Sequence, residues 1–254
     1  LSLDNQACDH RLRLRCPTGI RSSKVLSQGH FGIFERPIRN PFEGRSDWKQ
    51  PPPKTFHFRE VVTVQDDRRG LAVASRGLYE YESRDTGKGV DLYITLQRGF
   101  GRMGRANFKA RSGATSPTIP TPGSQCLGLQ TFDYSFIPFE VGKGTKCASF
   151  MPQAQAFLYP AIAHQADPGH ILVDDAIRKS GTKGAIPTPA FMVGPANIRV
   201  SAFKRAEDGK GWILRFWENE GRRTKAVVEL CPAFKNVTET NLNEEPLRKL
   251  KPSG

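Results

Sequence analysis

The chain has 254 residues, 37% hydrophobic and 25% charged, enough to bury a full core in one large domain or in one with a smaller companion. No run approaches the roughly 18 apolar residues of a membrane helix, which excludes a helical membrane span, and Leu1 to His10 lacks the apolar core of a secretory leader. The formal charge of +13 invites a polyanion partner, but charge bears on association and not on fold.

In chain order, the dominant period is two. Arg11-Leu12-Arg13-Leu14-Arg15 alternates as a half-buried strand does, with successive side chains on opposite faces. Arg36 to Lys54 carries Pro37, Pro41 and Pro51-Pro52-Pro53 and cannot pair in a central strand. Phe56 and Phe58, then Val62 and Val64, predict a second long strand or a bent pair. Asp66 to Gly70 is a polar turn, and Leu71 to Ser75 follows as a strand. Ser75 to Glu82 holds Gly77 between two strand-like halves, the mark of a bulge or tight bend. Leu92, Ile94 and Leu96 share one face of the next strand. Gly99 to Gln125 reads as a long irregular excursion. Strands are then predicted at Phe132 to Phe139, Ile198 to Phe203, Trp212 to Trp217 and Ala226 to Leu230. Helix is confined to a turn or two at Asp174 to Lys179 and another at Leu247 to Leu250. Many short strands between Gly and Pro turns make the chain all-β.

Motifs that would carry chemistry are few. Gly99-Phe100-Gly101-Arg102-Met103-Gly104 has dinucleotide spacing, but no helix pattern follows and no acid lies between Gly104 and Gln125 to hold a ribose. In the same segment Arg98, Arg102, Arg105, Lys109 and Arg111 interleave with Phe100 and Phe108, a pattern suited to phosphate and base stacking, or to a plain basic loop at a sheet edge. The five histidines and five cysteines contain no metal-ligand spacing, so no metal or cofactor is expected in this chain. The odd, scattered cysteines (Cys8, Cys16, Cys126, Cys147, Cys231) argue against a disulfide framework and for a reducing cytoplasm. No triad or nucleophile elbow is present. Arg76, Tyr79, Glu80 and Tyr81 together have the functional groups to hydrogen-bond sugar hydroxyls and stack on a sugar face, or are plain surface strand residues paired across the sheet.

Several segments, in order, resemble the C-terminal half of glycoside hydrolase family 38, the α-mannosidases and their mannosylglycerate-cleaving relatives. They are Asp9 to Arg15 with Pro17-Thr18-Gly19, Glu35-Arg36-Pro37-Ile38, Gly70 to Val73 leading into Arg76-Gly77-Leu78-Tyr79-Glu80-Tyr81, and Leu92 to Gly99. Gln125-Cys126-Leu127-Gly128 with Phe132-Asp133-Tyr134, and Asn197 to Phe216, complete the series. The resemblance implies a galactose-mutarotase-like supersandwich over residues 1–186 and a small β-sandwich over residues 187–254, with the boundary near Pro187. It further implies a zinc-containing N-terminal catalytic barrel that this stretch lacks, so that no catalytic residue can be carried over and the chain alone is expected to be inactive. The absence of an initiator Met fits a natural start upstream of Leu1. The expected partners are that barrel and a mannose-containing carbohydrate, with no membrane partner and homo-oligomerisation left open. Arg76, Glu80, Tyr81 and Arg98 are the candidates for lining a mannoside cleft. Two rival readings remain: a nucleic-acid-binding β protein using residues 98–111, and a free-standing carbohydrate-binding module.

Overall fold

The computed structural model describes residues 1–45, 47, 52–104, 107–108, 111–112, 118–144, 146–147, 149–162, 189–232, 234 and 236–251. The first strands are β1 (Ser2–Asn5), β2 (Arg11–Pro17), β3 (Lys24–Gln28), β4 (Ile33–Pro37), β5 (Thr55–His57), β6 (Val61–Gln65) and β7 (Arg69–Arg76). They are followed by β8 (Glu80–Asp85), β9 (Val90–Arg98), β10 (Arg102–Met103), β11 (Asn107–Phe108), β12 (Arg111–Ser112) and β13 (Ile119–Pro120). A 3₁₀ turn at Pro122–Gln125 leads to β14 (Gly128–Thr131), β15 (Asp133–Glu140) and helix α1 (Met151–Leu158). The remainder holds β16 (Phe191–Gly194), β17 (Ile198–Arg205), β18 (Trp212–Glu218), β19 (Val227–Leu230), β20 (Val237–Thr240) and β21 (Pro246–Leu250). The chain is all-β, as its period-two pattern requires, and divides into two compact units, Leu1–Pro160 and Ala161–Gly254. Pro187, where the sequence suggests a boundary, and the Asp174 to Lys179 helical stretch lie outside the described residues.

In the first unit an antiparallel five-stranded sheet, ordered β15-β7-β6-β3-β4, faces a four-stranded one, ordered β2-β9-β8-β5. Val25, Val62, Val64 and Val73 from the first sheet pack with Cys16, Tyr81, Val90, Leu92 and Ile94 from the second. The four-stranded sheet has one wet face, so β2 and β9 alternate legibly. The central strands of the five-stranded sheet, β3, β6 and β7, are covered on both faces. Helix α1 lies across β7 and β15, and Val61 and Thr63 of β6 and Ala72 and Ala74 of β7 are buried on the side away from the central core. Val61-Val62-Thr63-Val64 therefore reads as a continuous apolar run instead of an alternation. Thr63 stays satisfied by donating its hydroxyl to the Leu71 carbonyl at 2.9 Å. The five-stranded sheet ends in β4 and β15, and each of these rim strands carries a proline, Pro37 and Pro138.

The Phe56 to Val64 stretch is the bent pair that the sequence allowed, two strands in different sheets turned at Phe58 to Glu60, where Phe58 N–H meets the Tyr79 carbonyl at 3.0 Å. Three segments differ from the sequence reading. Leu247 to Leu250 is not helical. It pairs as β21 with β20, tied by a 2.5 Å Arg248–Glu239 ion pair, so cross-strand pairing overrides a Leu-x-x-Leu spacing only one turn long. Helix α1 was hidden because its buried residues, Met151 and Ala154, are two positions in an otherwise mixed octet. The Gly99 to Gln125 excursion also has structure of its own, with β10 paired to β13 and β11 to β12.

In the second unit β16 pairs with β19, β17 with β18 and β20 with β21. Phe203 stacks on Trp212 with centroids 5.0 Å apart and meets Phe191 at 4.9 Å. Glu218 holds the turn after β18, accepting from the Asn197 amide at 2.6 Å and from the Glu220 and Arg222 N–H groups at 2.8 and 2.9 Å. Burial pushes its carboxyl upward, but these donors outweigh it and hold it below the usual carboxylate range.

Candidate functional site

The bend expected around Gly77 exists. Gly77 takes φ +80°, which ends β7 and lets Leu78 enter the core while Tyr79 stays 61% exposed. Ser75 supports the turn by donating its hydroxyl to the Leu78 carbonyl at 3.2 Å. Beside this bend lies a cleft of about 410 Å³, walled by Arg76 and Tyr79, by His30 after β3, by His57 at the end of β5, by Arg59 and Glu60 between β5 and β6, and by Tyr159 after α1.

The polar groups of the cleft are tied together. Arg76 donates to the Phe157 carbonyl, stands over the Phe157 ring at 4.8 Å and lies 3.9 Å from Asp133. Glu60 accepts from Gln28 at 3.0 Å and from the Tyr159 hydroxyl, with Arg59 at 3.4 Å. Burial first, and then the Glu60 carboxylate, pushes the Tyr159 phenol up to about 12, so it remains a proton donor at neutral pH.

The four sequence candidates fall in three places. Arg76 is in the cleft. Glu80 and Arg98 meet on the outer face of the four-stranded sheet, 4.0 Å apart, where Glu80 also accepts from Arg11 at 2.5 Å and from the Thr95 hydroxyl at 2.7 Å. Arg98 sits 5.7 Å above the Phe100 ring. Tyr81 is fully buried between Phe56 and Phe58, at 6.1 and 6.0 Å, so it takes no place on either surface. Its hydroxyl has no hydrogen-bond partner among the described residues, although Ser27 is near enough to oppose the upward push of burial on its acidity. His30, His57, Glu60 and Tyr159 were not picked out from the sequence. They come from three separate turns, and no local pattern announces them.

The glycine motif serves packing. A Cβ at Gly101 would stand 2.9 Å from Gln125 Nε2, and one at Gly99 would stand 3.0 Å from Gln125 Oε1. Gln125 accepts from the Asp9 N–H at 2.8 Å and donates to Asp9 Oδ1 at 3.0 Å, while Gly101 N–H donates to the same oxygen at 2.8 Å. Strand β10 follows in place of a helix. Of the basic residues in this excursion, Arg105 and Lys109 lie outside the described residues, and the side chains of Phe108 and Arg111 are likewise not described. Among the described residues no group of three or more His, Cys, Asp or Glu side chains could hold a metal ion. No helix among them is long and apolar enough to cross a membrane.

Comparison with known proteins places the β architecture. Residues 197–254 match the glycosyl hydrolases family 38 C-terminal beta sandwich domain. A putative mannosylglycerate hydrolase of Halalkalibacterium halodurans is 27% identical over 252 residues, 98% of this chain and 24% of that protein. Two solved structures from Enterococcus faecalis, a protein in glycosyl hydrolase family 38 and an α-mannosidase, each superpose with a TM-score of 0.70 at 22% identity. Each covers 99% of this chain, and this chain covers 26% of each. The chain thus spans about a quarter of the length of these proteins.

Proposed function

We propose, of a chain that carries the C-terminal β region of glycoside hydrolase family 38, that it is the non-catalytic part of an α-mannoside-cleaving enzyme. In this reading the whole protein carries a zinc-dependent catalytic barrel, the β region packs on it, and hydrolysis proceeds through a covalent glycosyl-enzyme intermediate. The boundary between supersandwich and small sandwich falls near residue 187, and the enzyme works in a reducing cytoplasm. The observation that carries the reading is the relative that aligns with 98% of this chain while the chain covers 24% of it, bearing a glycoside-hydrolysing name.

Arg76, from the cleft, and Glu80 with Arg98, from the outer face of the four-stranded sheet, are the residues proposed to meet the mannoside, with Tyr81 holding β8 from inside. Planar guanidinium donors suit vicinal hydroxyls and carboxylates alike. The test is steady-state kinetics of the whole protein on an α-mannoside. Arg76→Ala and Arg98→Ala are expected to lower kcat/KM by roughly tenfold each, the cost of one charged hydrogen bond. Unchanged kinetics in both variants would remove the β region from the substrate.

A further inference from the structure

We propose that Ser27, Arg36 and Tyr81 form an internal site for one halide-sized anion, at the rim where the two sheets of the first unit meet. The site is separate from the cleft beside Arg76 and does not depend on any reaction.

Strand register turns the three side chains toward one another. Val25 and Ser27 of β3 are 0% and 1% exposed and lie two positions apart, so they share the face turned to the opposing sheet. Arg36 of β4 stands opposite Val25, and direct cross-strand partners project to the same side. Arg36 is thus an inward-pointing charge on an end strand. Its guanidinium reaches across to β5 and lies over the Phe56 ring at 4.9 Å. Phe56 is the cross-strand partner of Tyr81, which is 0% exposed.

Ser27 Oγ, Arg36 Nε and Tyr81 Oη are all buried, and none has a hydrogen-bond partner among the described residues. They are close enough to feel one another, since Ser27 and Arg36 both oppose the upward push of burial on the Tyr81 phenol. Three donor heads that gather without bonding one another call for a bridging acceptor. Charge decides which kind. Among the described residues no carboxylate pairs with Arg36. Glu35 beside it faces the other way and is taken by Lys24 and Lys146, at 2.7 Å each. Gln28, next to Ser27, likewise turns away and donates to Glu60. A half-buried cation without a counter-ion is costly, and aromatic faces offset only part of that cost. A water would serve the hydroxyls and leave the charge unanswered, whereas a monatomic anion answers both. Strands β4 and β5 end their sheets, so an ion enters at the rim without crossing the core.

The test exchanges sodium gluconate for sodium bromide at constant ionic strength around the 254-residue chain. Bromide at ten times its dissociation constant should raise Tm by roughly 3–6 °C, and the rise should saturate. Arg36→Met, which keeps an apolar stem over Phe56 and drops the charge, should abolish the rise. Ser27→Ala should weaken it and serves if Arg36→Met fails to fold. In gluconate alone Tyr81→Phe should melt like the parent chain, and bromide should then add less to it. Crystals grown in bromide should show one anomalous peak in contact with all three heads. A water at that place without anomalous signal, no saturable rise, or a rise undiminished in either folded variant overturns the site.

Discussion

Tyr81 offers the sharpest separation between a surface role and an interior one. Its ring is fully buried and meets Phe56 and Phe58, and its hydroxyl has no hydrogen-bond partner among the described residues. Truncation to alanine removes a large aromatic from a closed interior and should cost about 3–5 kcal/mol. For a cooperative unit of this size, each kcal/mol lowers Tm by about 2–4 °C, so the expected drop is roughly 6–20 °C. Tyr81→Phe deletes only the unpartnered hydroxyl and keeps both ring contacts. Removing a buried polar group that makes no bond should be neutral or stabilising, within about 1 kcal/mol. Thermal and urea denaturation of the two variants read both numbers. The reasoning is refuted if Tyr81→Phe is as damaging as Tyr81→Ala, or if Tyr81→Ala melts like the parent chain. Loss of glycoside turnover in a fully stable Tyr81→Phe whole protein would return the residue to the substrate cleft.

Glu82, with its side chain 6% exposed between Arg13 at 2.5 Å and Arg84 at 2.7 Å, should cost about 1–3 kcal/mol when changed to Gln, measured by urea denaturation; a change under a few tenths would contradict it. Burial pushes that carboxyl up, but Arg84 and Arg13 hold it below the usual range. Hydrogen bonds from Lys146 and Lys24 likewise hold Glu35 low. Both folded values are depressed, so the stabilisation is present above the unfolded carboxylate value of about 4.3 and is lost as pH falls through the folded values. A Tm that stays flat from neutral pH into that acid range would refute the assignment. Gly101→Ala should cost about 1–2 kcal/mol through the Gln125 contact, and a double-mutant cycle with Gln125→Ala should show coupling where independent sites would add. Cys16 is buried, and its thiol is pushed up to about 11 by that burial and by Asp91, so brief alkylation of the folded chain should label exposed Cys8 and Cys126 and spare Cys16, as peptide mass mapping would reveal.

The legibility of the fold followed solvent exposure. Strands with one wet face, β2 and β9, announce themselves by alternation. Strands buried on both faces, β6 and β7, lose that signature because Ala72 and Ala74 beneath α1 are as dry as Val73 above the core. Helix α1 and strand β21 are short enough for tertiary pairing to decide their state, which no local window contains. The site divides along the same line. Arg76 and its bend are readable because Gly77 imposes a turn, whereas the meeting of Glu80 with Arg98 needs the β8–β9 register, and the cleft needs three turns that are distant in sequence.

The prolines at the two rims of the five-stranded sheet bear on how the chain behaves at high concentration. A free rim strand is a template on which another extended segment can zip, and the zipper grows by supplying N–H and C=O groups in regular alternation. Pro37 at the end of β4 and Pro138 within β15, opposite Leu71, each remove one N–H from that row and fix the local backbone. A passing chain then finds a broken ladder on either side, so fibril growth from the native sheet is interrupted at both rims by two residues that contribute nothing to the core.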